Sequence, residues 1–379
     1  MLNIADTLRR WCHEARPFAL ATVVHVSGSA PLPVGTALAV DTDGTAVGGI
    51  SGGCVEAAVY ELCQQVLAHG GPPARASFGY SDDDAFASGL TCGGEIEVLA
   101  QRVEPAAEPH LVAAFEAVLA GRPTAVAHIV DGPDELVGRT LHVPGEGPHD
   151  GTLGSGGDDR QVVAQARALL RAGRTACIEV GDDAGTCPPK LTVLVHAHAL
   201  RPRMLIFGAV DFASALSQAG RFLGYSVTIC DARPVFTTAA RFPHADEVVT
   251  DWPHRYLAAT ETDARTAVCV LTHDAKFDIP LLRLALTLPV CYVGAMGSRR
   301  THEHRIGLLR EADVPQVQLA RLHSPIGLDL GARTPEETAI SITAEIIAHA
   351  NRGTGRPLSH GTGPIHQPAQ PLPGLAMAP

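Results

Sequence analysis

The sequence predicts an α/β protein in which two related β-rich α/β units precede a doubly wound parallel sheet. Three observations predict this fold class. Similar segments recur about 100 residues apart in the first half of the chain. Short apolar strands then alternate with helical stretches in the second half. Finally, the 379 residues exceed the roughly 250 to 300 that one hydrophobic core usually serves, which indicates more than one domain.

The repeated segments of the first half indicate an internal duplication. The matched pairs are Pro17–Val24 with Pro123–Val130, Gly35–Val40 with Gly138–Val143, Ser51–Cys54 with Ser155–Asp158, and Thr91–Leu99 with Thr186–Leu194. Each Ser-Gly-Gly turn leads into a helical stripe of apolar residues, and the other segments have a strand-like pattern. We therefore predict two related units, residues 1–105 and 106–200. Because Asp158 replaces Cys54 in the second unit, we expect the chemistry in the first.

The second half predicts a Rossmann-like domain over residues 201–350, with right-handed crossovers between its strands. Its first strand leads to Gly208 and its second ends at Asp231, the spacing that places an acidic residue against a ribose. However, Val210 stands where a dinucleotide site needs glycine, and Asp211 competes with phosphates for the helix N-terminus. The sequence therefore supports the fold and argues against ordinary NAD(P) binding.

A second glycine-containing turn follows the apolar strand near residue 293. Gly294 and Gly297 free the backbone there, and Arg299 and Arg300 provide planar donors suited to phosphate. The alternative is a tight turn with two solvated arginines before a helix. Both interpretations remain open at this stage.

The last part of the chain carries structural signals. Thr334, Pro335 and Glu337 have the types and spacing of a capping box and predict a helix through Ala350. Residues 351–379 are rich in proline and glycine, which predicts a disordered tail.

Composition narrows the classes of partner and the compartment. The net charge of −11 disfavours a general electrostatic grip on nucleic acid or on anionic membranes. No apolar run approaches the roughly 20 residues that span a bilayer, and no signal-peptide pattern is present, so we expect a cytoplasmic protein. The nine cysteines include no C-x-x-C pair and predict reduced thiols, with Cys63, Cys230, Cys269 and Cys291 buried as small hydrophobes.

Cys54 is the strongest candidate for chemistry. It follows Gly52 and Gly53 at a predicted helix start, where backbone amides and the helix dipole favour an anion. These conditions lower a thiol pKa, and the thiolate can ligate a soft metal or attack an electrophile. Glu56 in the first turn opposes part of that effect. The alternative is a small residue packed under a glycine turn.

Cys92 lies in a second glycine-flanked turn, beside Gly93. Its counterpart Cys187 persists in the second copy, which favours a structural explanation, whereas the glycine after Cys92 has become Pro188. Functional and structural interpretations of Cys92 therefore stay open. The acidic run 82–84 has the oxygen ligands that Mg²⁺ takes but is typical of a solvated loop.

Taken as a set, several motifs resemble the xanthine dehydrogenase accessory protein family, XdhC and its CoxI relatives. The segments are Gly28–Pro31 with Gly35, Gly48–Glu56, Gly89–Gly94, Tyr292–Thr301, Ser324–Gly331 and Ala344–Ile346. The resemblance covers nearly the whole chain except the tail. Members commonly carry a fuller glycine fingerprint, with histidine after its second glycine, where this chain has Val210 and Asp211.

The resemblance implies a cytoplasmic maturation factor, a chaperone rather than a catalyst. Its cargo would be the molybdenum cofactor, a molybdopterin dithiolene carrying a phosphate, handed over in plain or sulfurated form to a xanthine-dehydrogenase-type molybdoenzyme. The resemblance also leaves open two further partners, a cysteine desulfurase and a second copy of the chain. The cofactor-binding residues expected on this basis are Gly52, Gly53, Cys54, Cys92, Gly93, Gly208, Asp231, Gly297, Arg299 and Arg300, with Cys54 as the metal ligand.

Two other functions fit the sequence. One is an NAD(P)-dependent oxidoreductase in which His273, Asp274 or Lys276 acts near a nicotinamide. The other is a nucleotide-sensing adaptor for a molybdoenzyme, in which a ligand in the crevice changes docking without turnover.

Overall fold

A computed structural model describes residues 1–28, 32–53, 55–79, 94–154, 156–181 and 191–362. Two compact units divide these residues, one within Met1–Leu200 and the other Arg201–Thr362. Cys54, Cys92, Gly93, Cys187 and the tail from residue 363 lie outside the described residues. The acidic run 82–84 lies outside them as well.

The first half of unit 1 is a five-stranded antiparallel sheet with two helices. Its elements are α1 (Ala5–His13), β1 (Phe18–Ser27), β2 (Ala37–Asp41), β3 (Ala46–Gly48), α2 (Glu56–His69), β4 (Ala74–Phe78) and β5 (Glu95–Val103), and a short 3₁₀ turn spans Leu2–Ile4. The strand order is β3-β2-β1-β5-β4. Val59, Cys63 and Val66 of α2 face the sheet, which is the apolar stripe that the sequence predicts.

The second half of unit 1 repeats this arrangement. It consists of α3 (Pro109–Leu119), β6 (Thr124–Asp131), β7 (Thr140–Pro144), β8 (Asp150–Gly151), α4 (Gly156–Ala172), β9 (Ala176–Val180) and β10 (Leu191–His198). The strand order β8-β7-β6-β10-β9 is that of the first sheet, position by position. The duplication indicated by the sequence is therefore present in the fold.

The two sheets of unit 1 pack against each other through their central strands. Val24 and Leu99 of the first sheet form one apolar cluster with Val130 and Leu194 of the second. Burying such a side chain fully contributes about 1.5–3 kcal/mol relative to leaving it exposed. The two copies therefore stabilise each other as one body.

Unit 2 is a doubly wound parallel sheet, as predicted. Its elements are β11 (Arg203–Phe207), α5 (Asp211–Phe222), β12 (Ser226–Asp231), β13 (Glu247–Thr250), α6 (Pro253–Ala259), β14 (Ala267–Val270), α7 (Ala275–Ala285), β15 (Tyr292–Ala295), α8 (Arg299–Glu311), α9 (Gln316–Leu319), β16 (Leu322–His323) and α10 (Pro335–Asn351). All six strands run parallel in the order β13-β12-β11-β14-β15-β16. The order reverses between β11 and β14, where sheets of this kind bind ligands.

The start of α10 confirms the predicted capping box. The Thr334 hydroxyl accepts from the Glu337 N–H at 3.2 Å, and the Glu337 carboxylate accepts from the Thr334 N–H at 3.2 Å. Within the described residues, no helix has both the length and the apolar character needed to cross a membrane.

Candidate functional site

The glycine turn before α2 has one side packed and one side open. Gly48 has φ +92°, and a Cβ on it would lie 2.2 Å from the carbonyl oxygen of Ala37, so only glycine fits. Gly52 and Gly53 also have positive φ, but a Cβ on either would meet no atom of the described residues within 4 Å. These two glycines are therefore needed for their backbone conformation and not for close packing against any described residue.

The carboxylate of Glu56 occupies the inside of this turn. It accepts hydrogen bonds from the N–H groups of Ile50 at 3.3 Å, Ser51 at 2.9 Å and Gly53 at 2.8 Å, and from the Ser51 hydroxyl at 2.6 Å. Partial burial raises the pKa of Glu56, but the bonds from Ser51 and Gly53 outweigh it and lower the pKa from 4.5 to about 2. The amides predicted to attract an external anion are therefore already bonded to an internal one.

In the second copy, too, a carboxylate accepts hydrogen bonds from the turn that precedes the helix. Asp159, in the first turn of α4, accepts from the Leu153 N–H at 2.8 Å and from the Thr152 hydroxyl at 2.7 Å. A carboxylate that holds the turn is thus a property of the duplicated fold. At the aligned position the copies differ in sequence, with Cys54 two residues before α2 and Asp158 in the first turn of α4.

The cysteines within the described residues have the character of packed hydrophobes. Burial raises the pKa of all of these thiols, to about 11 at Cys12 and Cys291 and to about 12 at Cys63, Cys177 and Cys230. Thiols of such high pKa stay protonated at neutral pH and are poor nucleophiles and ligands. No group of three or more acidic, histidine or cysteine residues in the described ranges has the geometry of a metal site.

In unit 2 the turn after β11 is packed rather than open. Gly208 has φ +118°, and a Cβ on it would lie 3.0 Å from both the nitrogen and the Cγ2 of Thr272, at the end of the neighbouring strand. The next amide, Ala209 N–H, donates to Asp231 at 2.8 Å. Gly208 is therefore required by the close approach of β11 and β14, and the amide that follows it is already bonded.

The carboxylate of Asp231 accepts hydrogen bonds from neighbouring groups of the protein on both oxygens. It is 2% exposed and accepts from the Arg233 N–H at 2.9 Å, from Nε at 2.9 Å and from Nη2 at 2.7 Å, besides Ala209. Burial alone would raise the pKa of Asp231, but these bonds hold it below its usual range. Both carboxylate oxygens are thus engaged, and the geometry favours a structural role over the predicted ribose contact.

Arg241 covers the same turn, and sequence reasoning missed it. Its Nη2 lies 3.4 Å from the Asp211 carboxylate and its Nη1 donates to the Ala209 carbonyl at 3.3 Å. The guanidinium therefore lies across the backbone that a pyrophosphate would approach. No sequence signal links Arg241 to this turn, since 30 residues separate it from Asp211.

The turn after β15 presents two cations to solvent. Arg299 and Arg300 are exposed in the first turn of α8 and form no ion pair with any described residue. The Ser298 hydroxyl caps the helix by accepting from the Thr301 N–H at 3.1 Å. Gly294 does not free the backbone as expected, because a Cβ on it would lie 2.5 Å from Ile326 Cδ1.

A buried ion pair supports this turn from behind. Arg305 and Asp278 are 3% and 4% exposed, with 3.0 Å between Nη2 and Oδ2. Arg305 also donates to the Met296 carbonyl at 2.8 Å and to the Ser324 hydroxyl at 3.1 Å, and the Thr272 hydroxyl donates to Asp278. This network joins the ends of β14 and β15, and no local sequence pattern indicates it.

Comparison with known families matches two parts of the chain. Residues 204–346 match the profile described as the XdhC Rossmann domain, and residues 11–79 match that of the XdhC and CoxI family. The matches therefore fall in both units.

Individual relatives extend over most of the chain. A probable xanthine dehydrogenase subunit of Bacillus subtilis (strain 168) is 27% identical over 357 residues, 93% of this chain and 99% of that protein. The molybdenum cofactor insertion chaperone PaoD of Escherichia coli (strain K12) is 24% identical over 349 residues, 90% and 87% of the two chains. The protein YqeB of the same strain is 30% identical over 246 residues, which is 62% of this chain, and the match spans only 44% of YqeB.

Among solved structures, a crystal structure of a xanthine dehydrogenase from Bacillus halodurans is similar with a TM-score of 0.67. It is 25% identical, and the match covers 95% of this chain and 98% of that one.

Proposed function

Because the chain belongs to the XdhC and CoxI family, we propose that it is a maturation factor that binds the molybdenum cofactor and transfers it to a xanthine-dehydrogenase-type molybdoenzyme. The observation that carries this proposal is the match over 90% of the chain to a protein named as a molybdenum cofactor insertion chaperone. The match to a probable xanthine dehydrogenase subunit supports the class of client.

The proposed cargo contact is Cys54, with Gly52 and Gly53. Gly52 and Gly53 precede position 54 in an exposed turn, and a Cβ on either would meet no atom of the described residues within 4 Å, which supports room for a bulky ligand beside them. A thiolate suits molybdenum or its terminal sulfur, because both partners are soft. We propose Cys92 and Gly93 as a second contact from the other glycine-flanked turn.

The turn around Glu56 favours transient binding. Since its carboxylate already takes the amides of Ile50, Ser51 and Gly53, these groups add little to the affinity for an oxyanion. The thiolate then carries most of the binding, and a cargo held by few ligands dissociates readily. Such an arrangement suits a carrier that must release what it binds.

Arg299, Arg300 and Gly297 are proposed as an anion contact on unit 2. The two guanidiniums are exposed and unpaired within the described residues, so a phosphate group would find both available. Gly208 and Asp231 are assigned to packing and to hydrogen bonding within the fold instead.

The test is cofactor retention by the full chain purified from molybdenum-replete cells. Molybdenum is measured by elemental analysis and pterin by fluorescence after oxidation, and transfer is measured as activation of a molybdenum-free xanthine dehydrogenase. Cys54→Asp, which gives the first copy the residue of the second, is expected to lose most of the bound molybdenum. Cys92→Ala is compared with Cys187→Ala, its counterpart in the second copy, which is expected to retain the cargo.

Full retention and transfer by Cys54→Asp would remove Cys54 from the mechanism. Absence of both pterin and molybdenum from the unsubstituted chain would reject the carrier function itself. The oxidoreductase alternative is tested by titrating NADH fluorescence, and we expect no binding because Arg241 and Asp231 occupy the groups that a dinucleotide uses.

A further inference from the structure

The two copies in unit 1 are related by an approximate two-fold axis, which the contacts of two equivalent glycines show. A Cβ on Gly35 would lie 3.4 Å from Nδ1 of His196, and a Cβ on Gly138 would lie 3.1 Å from Oε1 of Gln101. Gly35 of the first copy thus packs against β10 of the second copy, and Gly138 of the second copy packs against β5 of the first. The residues around Gly35 can therefore be compared with the equivalent residues around Gly138.

The space beside Gly35 is filled by the chain itself. Met1 is 4% exposed and Leu2 is 8% exposed, and the Met1 nitrogen donates to the Gly35 carbonyl at 3.2 Å. The turn closes with a bond from the Ile4 N–H to the Met1 carbonyl at 3.1 Å. Apolar side chains therefore occupy this side of the pseudo-symmetric pair.

The equivalent space beside Gly138 is a cleft of about 480 Å³. The ends of α1 and α3 set the correspondence, because the Arg16 N–H donates to the Trp11 carbonyl as the Arg122 N–H donates to the Ala117 carbonyl. In this register Ala107 stands in place of Met1, and Glu108 stands in place of Leu2. The smaller side chain leaves the space open, and the substitution at 108 puts a carboxylate into its wall.

A short relay of polar groups lines the floor of the cleft. The Thr140 hydroxyl donates to Glu108 Oε2 at 2.8 Å, and His110 Nε2 lies 2.6 Å from the same hydroxyl oxygen. Because the hydroxyl proton is used on Glu108, His110 Nε2–H is the donor to Thr140. Burial raises the pKa of Glu108 and lowers that of His110. One oxygen of Glu108 is fixed by this relay, and the other is left for a ligand.

The cleft contains one acidic and one basic side chain that no ion pair with a described residue neutralises. Glu108 forms no ion pair with any described residue, and neither does Arg139, which also lines the cleft. Arg102, in contrast, lies 2.5 Å from Glu104. A half-buried carboxylate without a cation costs stability, and such uncompensated groups mark functional sites.

We propose that this cleft binds a small zwitterion of the amino-acid class, with its ammonium group on Glu108 and its carboxylate on Arg139. An ammonium offers three donors to a carboxylate oxygen, and a guanidinium matches a ligand carboxylate with two parallel bonds. One ligand of this class neutralises both unpaired charges, whereas a simple cation or anion would leave one of them. Pro73 and Val137 provide an apolar wall for its side chain.

Isothermal titration calorimetry on the full chain tests this assignment with the twenty free L-amino acids as probes. At least one is expected to bind. Its amide, which lacks the carboxylate, and its N-acetyl form, which lacks the ammonium, should each bind at least about tenfold more weakly.

Variants assign the binding to the cleft. Glu108→Gln and Arg139→Gln are expected to weaken binding at least about tenfold. Glu135→Gln and Arg171→Gln change exposed residues of the same charge outside the cleft and should bind normally. Circular dichroism and thermal unfolding confirm that each variant is folded.

Three results would overturn the proposal. These are no amino acid binding at millimolar concentration, equal binding of the amide or the N-acetyl form, or unchanged affinity in a folded Glu108→Gln protein. The site is independent of the proposed carrier function. Molybdenum content is therefore expected to be normal in Glu108→Gln, and amino-acid binding is expected to be normal in Cys54→Asp.

Discussion

The carboxylate of Glu56 accepts a hydrogen bond from the backbone N–H of Gly53, with 2.8 Å between Oε2 and N. The two residues flank position 54, so this bond fixes the backbone on both sides of the proposed cargo cysteine. An internal anion therefore shapes the turn that was expected to attract an external one.

Acid should weaken this turn. The pKa of Glu56 is about 2 in the folded protein and near 4.5 when unfolded, so its contribution is full above pH 4.5 and is lost as the pH falls toward 2. Unfolding is measured by urea at a series of pH values for the unsubstituted chain and Glu56→Gln. Their stability difference should shrink over this range, whereas Glu61→Gln, on the exposed face of α2, should show no such change.

Glu108 should show the opposite dependence. Its folded pKa is raised by burial, so the carboxylate costs stability that appears as the pH rises through the unfolded value and then the folded one. Glu108→Gln keeps an acceptor for Thr140 and removes the charge. It is expected to be more stable than the unsubstituted chain at neutral pH and equal to it in acid, as measured by thermal unfolding. Lower stability at neutral pH would contradict the unpaired-charge argument.

Two glycines of one turn should tolerate alanine differently. Gly52→Ala adds only the strain of a left-handed conformation, about 1–2 kcal/mol. Gly48→Ala adds the same strain and also places a Cβ 2.2 Å from the Ala37 carbonyl in β2, so it should be clearly more destabilising. Urea unfolding of the two variants provides the comparison. Equal losses would mean that β2 moves without cost.

Breaking the buried pair of unit 2 should be costly. Arg305→Met leaves the carboxyl group of Asp278 buried without its cation, and we expect a loss of about 3–5 kcal/mol. The double variant Arg305→Met with Asp278→Leu removes both charges and should recover part of that loss. Arg310→Met, on the exposed side of α8, is the control and should change stability little. Chemical denaturation measures all four proteins, and a double variant less stable than Arg305→Met alone would refute the explanation.

The sequence by itself determined the order and type of the elements, because these depend on local patterns. Alternating apolar strands and helices predicted the parallel sheet of unit 2, and the matched Ser-Gly-Gly turns predicted the duplicated sheets. The capping residues Thr334 and Glu337 predicted the start of α10 for the same reason. Such signals lie within a few residues of each other and survive without knowledge of the fold.

Only the tertiary structure decided what the individual charges do. The spacing between Gly208 and Asp231 predicted that Asp231 contacts a ribose, but in the fold its carboxylate oxygens accept hydrogen bonds from Ala209 and Arg233. It also pairs Asp278 with Arg305 and puts Glu108 and Arg139 in one cleft without pairing them. These outcomes depend on which strand ends lie side by side and on how two similar sheets pack, and the energy of a charge depends on those neighbours.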